Sequence, residues 1–275
     1  MNIKIAVIMS VYKNDKPKYF EDAINSMILQ SYGIENINIY LAIDGEIPLE
    51  TENIIKKHEE HFYKIKRITP NKGLANALNV LINSLEDEDY VFRMDSDDIS
   101  RVDRIQKQVE FIEKNSDIEI CGMTIEEFSE NGEKNIRVYP ATNEQILANI
   151  HKATPFGHPS VCFRKSALQK LGNYPTQYHL CEDIALWFEA VKKGIKMANL
   201  QEVGLDFRIQ NNFYKRRSLS KALSEFSVYW NGVISIFGIS PKLIFPVARL
   251  ISRLMPPFII KWAYNSQLRK KLLNK

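Results

Sequence analysis

Two hydrophobic periods alternate through residues 1–98, and that alternation limits the folds open to the chain. Strand-type runs IKIAVIMSV, INIYLAID, KIKRIT and DYVFRMD are separated by DKPKYFEDAINSMILQS, TENIIKKHEEHF and LANALNVLINSLE. In the first separator Tyr19, Phe20, Ala23, Ile24, Met27 and Ile28 recur at helical spacing, the stripe of an amphipathic helix. A β-α-β-α-β-α-β order calls for right-handed crossovers and an α/β fold with a mostly parallel central sheet flanked by helices. Sheets of this kind bind ligands beyond the carboxyl ends of their strands.

The polar residues of interest fall at those ends. Ser10, Val11 and Tyr12 close the first strand, Asp44 and Gly45 the second, and Asn71, Lys72 and Gly73 follow the third. The fourth runs into RMDSDDISR, which packs Asp95, Asp97 and Asp98 into four positions between Arg93 and Arg101. Scattered loop acids would have no reason to choose one rim of one sheet.

Beyond residue 100 the pattern is less regular. Helices are expected over 101–115, 143–151, 165–171 and 181–194, with a hairpin around Asn131-Gly132. At 275 residues the chain fits one large domain, or a domain with an appendage. Three cysteines without CxxC spacing argue against a disulfide framework or zinc site and suit a reducing cytosol. The first apolar run is too short and too β-branched for a signal peptide and reads as a strand.

Charge is unevenly spread. From Phe207 onward thirteen Lys and Arg face one acid, Glu225, a net +12, so the first 206 residues carry −8. Such a basic tail is expected to meet something anionic, a phospholipid surface or nucleic acid. In PKLIFPVARLISRL, Leu243, Val247, Leu250 and Leu254 make one face and Lys242, Arg249 and Arg253 another. No run reaches the roughly 18 apolar residues of a membrane span, and the pattern is that of a helix lying in a bilayer interface. Packing of this helix on the domain is the plainer alternative.

Three chemistries use Asp-x-Asp after a strand. A calcium loop counted from Asp95 needs Gly at its sixth position and Glu at its twelfth, where this chain has Ser100 and Gln106. An aspartyl-phosphate nucleophile in a D-x-D-x-T/V setting is weakened by Ile99 at the fifth position. The third is a divalent metal shared with a nucleotide diphosphate, since Mg²⁺ or Mn²⁺ takes one or two carboxylates plus phosphate oxygens.

The series SVYKND, AIDG, NKGLANALN, RMDSDD, GHPSVCFRKSAL and CEDIALW, in that order over roughly residues 1–210, resembles glycosyltransferase family 2. It is similar in particular to the bacterial branch that builds O-antigen, capsule and amylovoran-type polysaccharides. The resemblance implies a GT-A fold, a nucleotide-sugar donor (a UDP-sugar first), a divalent metal and inversion at the anomeric carbon. Residues 1–98 would then be the nucleotide-sugar half, 99–210 the acceptor half, and 211–275 a loop plus basic membrane-associating helices.

By the same resemblance Ser10 and Tyr12 line the base and ribose, and Asp44 accepts from a uracil-like ring N–H. Asn71 and Lys72 stand at a helix N-terminus suited to an anionic donor. Asp95 meets the ribose, Asp97 binds the metal, and Asp98 caps the helix expected from Ser100, while Arg93 pairs with an acid of the cluster. Asp183 is the catalytic base and Glu182 orients the acceptor, with His158 nearby. Arg208 and Arg216 belong to a loop closing on the diphosphate, although FRIQNNFYKRRS departs from the family's QxxRW-like element.

The implied acceptor is a lipid-diphosphate-linked saccharide at the inner face of the plasma membrane, with the enzyme cytoplasmic and peripheral. A homo-oligomer stays open, and no nucleic-acid partner is expected. The rivals are a sugar nucleotidyltransferase, for which SVYKND lacks a glycine-rich loop, and a non-catalytic nucleotide-sugar-binding protein.

Overall fold

The computed structural model describes residues 3–178, 180–209 and 219–255. The alternation becomes β1 (Ile5–Tyr12), α1 (Pro17–Ile28), β2 (Ile37–Asp44), α2 (Leu49–Lys57), β3 (Phe62–Ile68), α3 (Leu74–Ile82) and β4 (Tyr90–Met94). β1 pairs in parallel with β2 and β4, and β2 with β3. The chain therefore winds outward from β1 on one side and returns to its other side, which opens a crevice beyond the ends of β1 and β4. Tyr12 stands beside Asp44 in the β1–β2 ladder, so two of the expected rim residues are neighbours by register.

Both faces of this sheet are covered, and for that reason β1 and β2 read as near-continuous apolar runs. Ala6, Ile8, Tyr40 and Ala42 pack with Ala77, Leu78 and Leu81 of α3. Ile5, Val7, Met9 and Leu41 pack on the opposite face with Phe20, Ile24 and Met27 of α1.

The second half supplies β5 (Ile99–Ser100), α4 (Arg104–Lys114), β6 (Ile120–Ser129), β7 (Lys134–Arg137), α5 (Asn143–Asn149), β8 (Cys162–Arg164), α6 (Lys165–Leu171), α7 (Glu182–Lys192) and β9 (Met197–Ile209). The sheet order is β3-β2-β1-β4-β8-β6-β9-β5, with β7 paired to β6 around the expected Asn131-Gly132 turn. β8 enters antiparallel to β4 and β6, so the parallel half continues into a mixed one. β9 brings Asp206 beside Ile99, which carries the distal end of the chain onto the acidic turn.

Two further helices follow, α8 (Leu219–Phe237) and α9 (Ile244–Leu254). Ala222, Glu225, Val228, Tyr229, Gly232 and Val233 form the buried face of α8, and Val228, Tyr229 and Val233 join the core that holds α7. Residues 219–237 are thus packed on the domain as α8, a helix that the sequence reading did not include. Leu243 packs against that core, while Arg249 and Arg253 turn inward to Glu225. Arg216 and the residues after Met255, including Trp262 and Tyr264, lie outside the described residues. Among the described residues no helix is long and apolar enough to cross a membrane.

At Gly232 α7 and α8 approach closely: a Cβ built there would lie 2.4 Å from the ring of Phe188. Alanine has the better helix propensity by about 1 kcal/mol. Overpacking a buried ring costs about 1–3 kcal/mol and should win. Gly232→Ala is expected to lower the urea midpoint without changing the slope, and a raised midpoint would show that α8 shifts freely on α7.

Candidate active site

At the end of β4, Arg93 is 2% exposed and ion-paired to Asp95. Asp95, Asp97 and Asp98 each offer a carboxylate oxygen, all within 4.8 Å of one another. Like charges at that separation repel, and burial adds to this at Asp98, whose carboxyl is pushed well above the usual range first by desolvation and then by Asp95 and Asp97.

Asp98 does not cap a helix. α4 begins only at Arg104, with Asp103 before it, and Asp98 Oδ1 instead accepts from the backbone N–H of Arg208, 2.9 Å away on β9. Arg208 is committed to the same turn: its Nε donates to the carbonyl of Asp97 at 2.9 Å, and its Nη2 lies 3.2 Å from Asp22. Its guanidinium also stacks over Tyr19, 4.0 Å from the ring centre. These contacts make Arg208, on β9, a strut for the acidic turn. Arg216 lies outside the described residues.

Asp44 is likewise engaged by the protein. Its carboxylate accepts from the backbone N–H of Lys72 and of Gly73, both at 2.7 Å, and from Asn71 Nδ2 at 2.9 Å. The carboxylate thus pins the turn ahead of α3, and Leu74, Ala75 and Asn76 of the helix's first turn line the cavity described below. Three of its four lone-pair directions are used by these bonds. Gly45 permits this arrangement, with φ at +89° and Asn71 packed against the place of a Cβ.

One carboxylate escaped the sequence reading. Asp15, in the loop after β1, accepts from Ser96 Oγ at 2.7 Å and from the backbone N–H of Tyr12 at 3.1 Å. It ties the middle of the acidic turn to the end of β1. Burial pushes its carboxyl up to about 7, Ser96 and Tyr12 oppose that, and Asp97 and Asp95 add to it. Its position beyond β1, on the rim already singled out, was the signal.

Opposite these turns stands the start of α7. Glu182 is 7% exposed and its carboxyl is pushed up to about 7, chiefly by burial, with the charge of Asp183 adding and that of Arg93 opposing. Asp183 is raised too, again mainly by burial, against the N–H of Ile184 and the charge of Arg93. His158 Nε2 lies 2.9 Å from the hydroxyl of Tyr174, and its ring stands edge-on to Trp187. Burial, then Arg93, depress its pKa.

A cavity of about 440 Å³ joins these parts, lined by Ser10, Tyr12, Asp15, Asp44, Asn71, Lys72, Arg93, Asp95, Asp97, Tyr178 and Glu182 among others. That volume suits a small polar ligand. Asp183, His158 and Arg208 are not in its lining.

Residues 6–172 match the family described as glycosyl transferase family 2, more than half of the chain. The chain belongs to glycosyltransferase family 2. Among its relatives in the family is the Escherichia coli UDP-Gal:alpha-D-GlcNAc-diphosphoundecaprenol beta-1,3-galactosyltransferase, 30% identical over 98% of this chain and 98% of the relative. Another is the Erwinia amylovora amylovoran biosynthesis glycosyltransferase AmsE, 28% identical over 94% of this chain and 97% of the relative. The fold is similar to that of a Pyrobaculum calidifontis mannosyltransferase solved with GDP-Man and Mn²⁺, with TM-score 0.63 and 13% identity over 96% of this chain and 80% of that one. This family 2 glycosyltransferase therefore has the GT-A architecture, with its acidic turn at the switch point of the sheet.

The buried Arg93–Asp95 pair yields a stability prediction. Removing one partner of a buried pair costs about 3–5 kcal/mol, and with Asp95 partly open to the cavity the lower end applies. Arg93→Met is expected to destabilise by about 3 kcal/mol in urea, with much of the loss recovered on adding Asp95→Asn. Equal stability of Arg93→Met and the unaltered chain would remove the pair from the account.

Proposed function

We propose that the chain moves one sugar from a UDP-sugar, with inversion, to a saccharide carried on a lipid diphosphate during assembly of a bacterial surface polysaccharide. The observation that carries this reading is the convergence on one cavity of the Asp44-pinned turn, the acidic turn and the first acid of α7. The name of the Escherichia coli relative supports both the donor and the acceptor class. The enzyme would act at the inner face of the plasma membrane, peripherally and against an anionic surface.

In this reading the base and ribose lie along Ser10, Tyr12 and Asp95, with the carboxylate of Asp44 toward a ring N–H. Asn71 and Lys72 stand at the cavity mouth for the phosphates. Hard carboxylate oxygens converging without enough positive charge fit Mg²⁺ or Mn²⁺. Asp97 would hold the ion with Asp95 alongside, and when bound it supplies Lewis-acid stabilisation of the departing diphosphate. The acceptor hydroxyl attacks the anomeric carbon from the face opposite the leaving group, the bond to the diphosphate breaks, and the hydroxyl proton passes to a carboxylate of α7. Asp183 takes that proton by resemblance to the family, and Glu182 orients the acceptor.

One observation favours a second assignment. Glu182, not Asp183, lines the cavity, and its pKa of about 7 suits proton transfer near neutrality. If Glu182 is the base, it must be ionised to act, so the rate should rise with pH through about 7 and then level.

Two measurements separate these readings. Asp183→Asn is expected to lower turnover by roughly 10²–10⁴-fold, and Glu182→Gln to raise the acceptor KM while sparing kcat. The reverse pattern, with loss of the rise near pH 7 in Glu182→Gln, would transfer the base to Glu182. Donor hydrolysis across a panel of nucleotide sugars with Mn²⁺ should collapse on adding chelator and in Asp97→Asn. Hydrolysis indifferent to chelator would sink the metal role of Asp97.

A further inference from the structure

Helix α9 sits with its faces reversed from those of an ordinary surface helix. Its arginines point inward: Arg249 Nη1 lies 3.1 Å and Arg253 Nε 2.8 Å from the carboxylate of Glu225 on α8. The Arg249 guanidinium also stacks over Tyr229, 4.2 Å from the ring centre. Glu225 is 4% exposed, and burial works against its charge, but the two guanidiniums overcome this and hold its carboxyl below the usual range.

The outward face is apolar. Ile244, Val247, Ile251 and Leu254 are 67%, 39%, 51% and 54% exposed, and their spacing of three, four and three puts them in one stripe. Ile239, in the loop ahead of α9, is 93% exposed. Isolated exposed leucines or isoleucines need no explanation, whereas a contiguous stripe marks a contact surface.

We propose that this stripe lies in the headgroup–acyl boundary of an anionic phospholipid bilayer, with Ile244, Val247, Ile251 and Leu254 as the inserted side chains and Glu225 as the clamp that turns them outward. Charge favours this occupant: residues 256–275, directly after α9, hold Lys261, Arg269, Lys270, Lys271 and Lys275 and no acid, which complements anionic headgroups. Size disfavours a second copy. An 11-residue helix is about 16 Å long and 10 Å across, a footprint well below the about 800 Å² each partner of a standard dimer buries. A helix of this kind inserts its apolar face about 5–10 Å. Attachment then rests on apolar burial, with the bases of 256–275 adding attraction, and not on Arg249 and Arg253, which are spent on Glu225. This deepens the membrane reading above and takes its biological purpose from it.

Flotation of the full chain with phosphatidylcholine–phosphatidylglycerol vesicles, run beside donor hydrolysis in solution, tests the proposal. The unaltered chain should float and remain largely bound at 1 M NaCl, where the Debye length falls to about 3 Å. Ile244→Ser with Ile251→Ser should lower vesicle partitioning roughly tenfold or more, with hydrolysis unchanged. Undiminished flotation of that variant, or full release of the unaltered chain by salt, would overturn the insertion face. So would a chain that fails to float and elutes as a dimer, if the serine variant is monomeric. Absent hydrolysis in every protein, with flotation behaving as expected, would instead count against the glycosyl-transfer reading and leave the insertion face standing.

Discussion

Arg93, at the carboxyl end of β4, carries a positive charge in a place where water hardly reaches, and most of the site is arranged around it. It pairs with Asp95, and its charge favours the ionised forms of Asp98, Glu182 and Asp183 while disfavouring protonation of His158. A cluster of carboxylates in a low-dielectric pocket repels itself strongly. One buried guanidinium offsets part of that repulsion, and the remainder is what the divalent ion proposed above would offset. The same cation thus joins the acidic turn on the parallel half of the sheet to the acids of α7 on the other.

The acidic turn is gripped from three sides. Arg93 holds Asp95 from within the strand, Asp15 holds Ser96 from the loop after β1, and Arg208 holds Asp98 and the Asp97 carbonyl from β9. Asp97 gives its carbonyl to that grip and lines the cavity beside Asp95. A functional group on a tight turn is useful only when its neighbours fix its direction. Asp44 serves the next turn in the same way, its carboxylate accepting from the backbone N–H groups of Lys72 and Gly73 just ahead of α3.

The distal part of the chain shows how one buried acid can decide an orientation. Glu225 is the single acid after Asp206. Placed on the buried face of α8, it draws in Arg249 and Arg253, and α9 can satisfy them only by presenting its isoleucines to the outside. Leaving Glu225 unpaired in that position would cost more than exposing a few apolar side chains, because an uncompensated buried charge is the more expensive of the two.

The parallel half of the fold was legible in residues 1–98 because period-two and period-3.6 patterns encode local structure directly. The rim location of Ser10, Tyr12, Asp44, Lys72 and Asp95 followed from topology alone. The roles proposed for Asp97 and Asp183 rest on spacing and on resemblance, and of the two only Asp97 lines the cavity. The apolar spacing of α8 is likewise written in its sequence. Less accessible were the partners: Asp98 bonding to Arg208 across 110 positions, Ser96 to Asp15 across 81, and Arg93 facing both turns and α7. These contacts are made by strands that meet only after the sheet has formed, so no local pattern announces them. The amphipathic character of α9 was plain in its sequence, yet which face looks outward depended on a carboxylate more than twenty residues away. Hydrophobic period and strand order are properties of neighbouring residues and can be read from the chain. The orientation of a charged side chain is decided by which buried partner it can reach, and only the folded structure sets that.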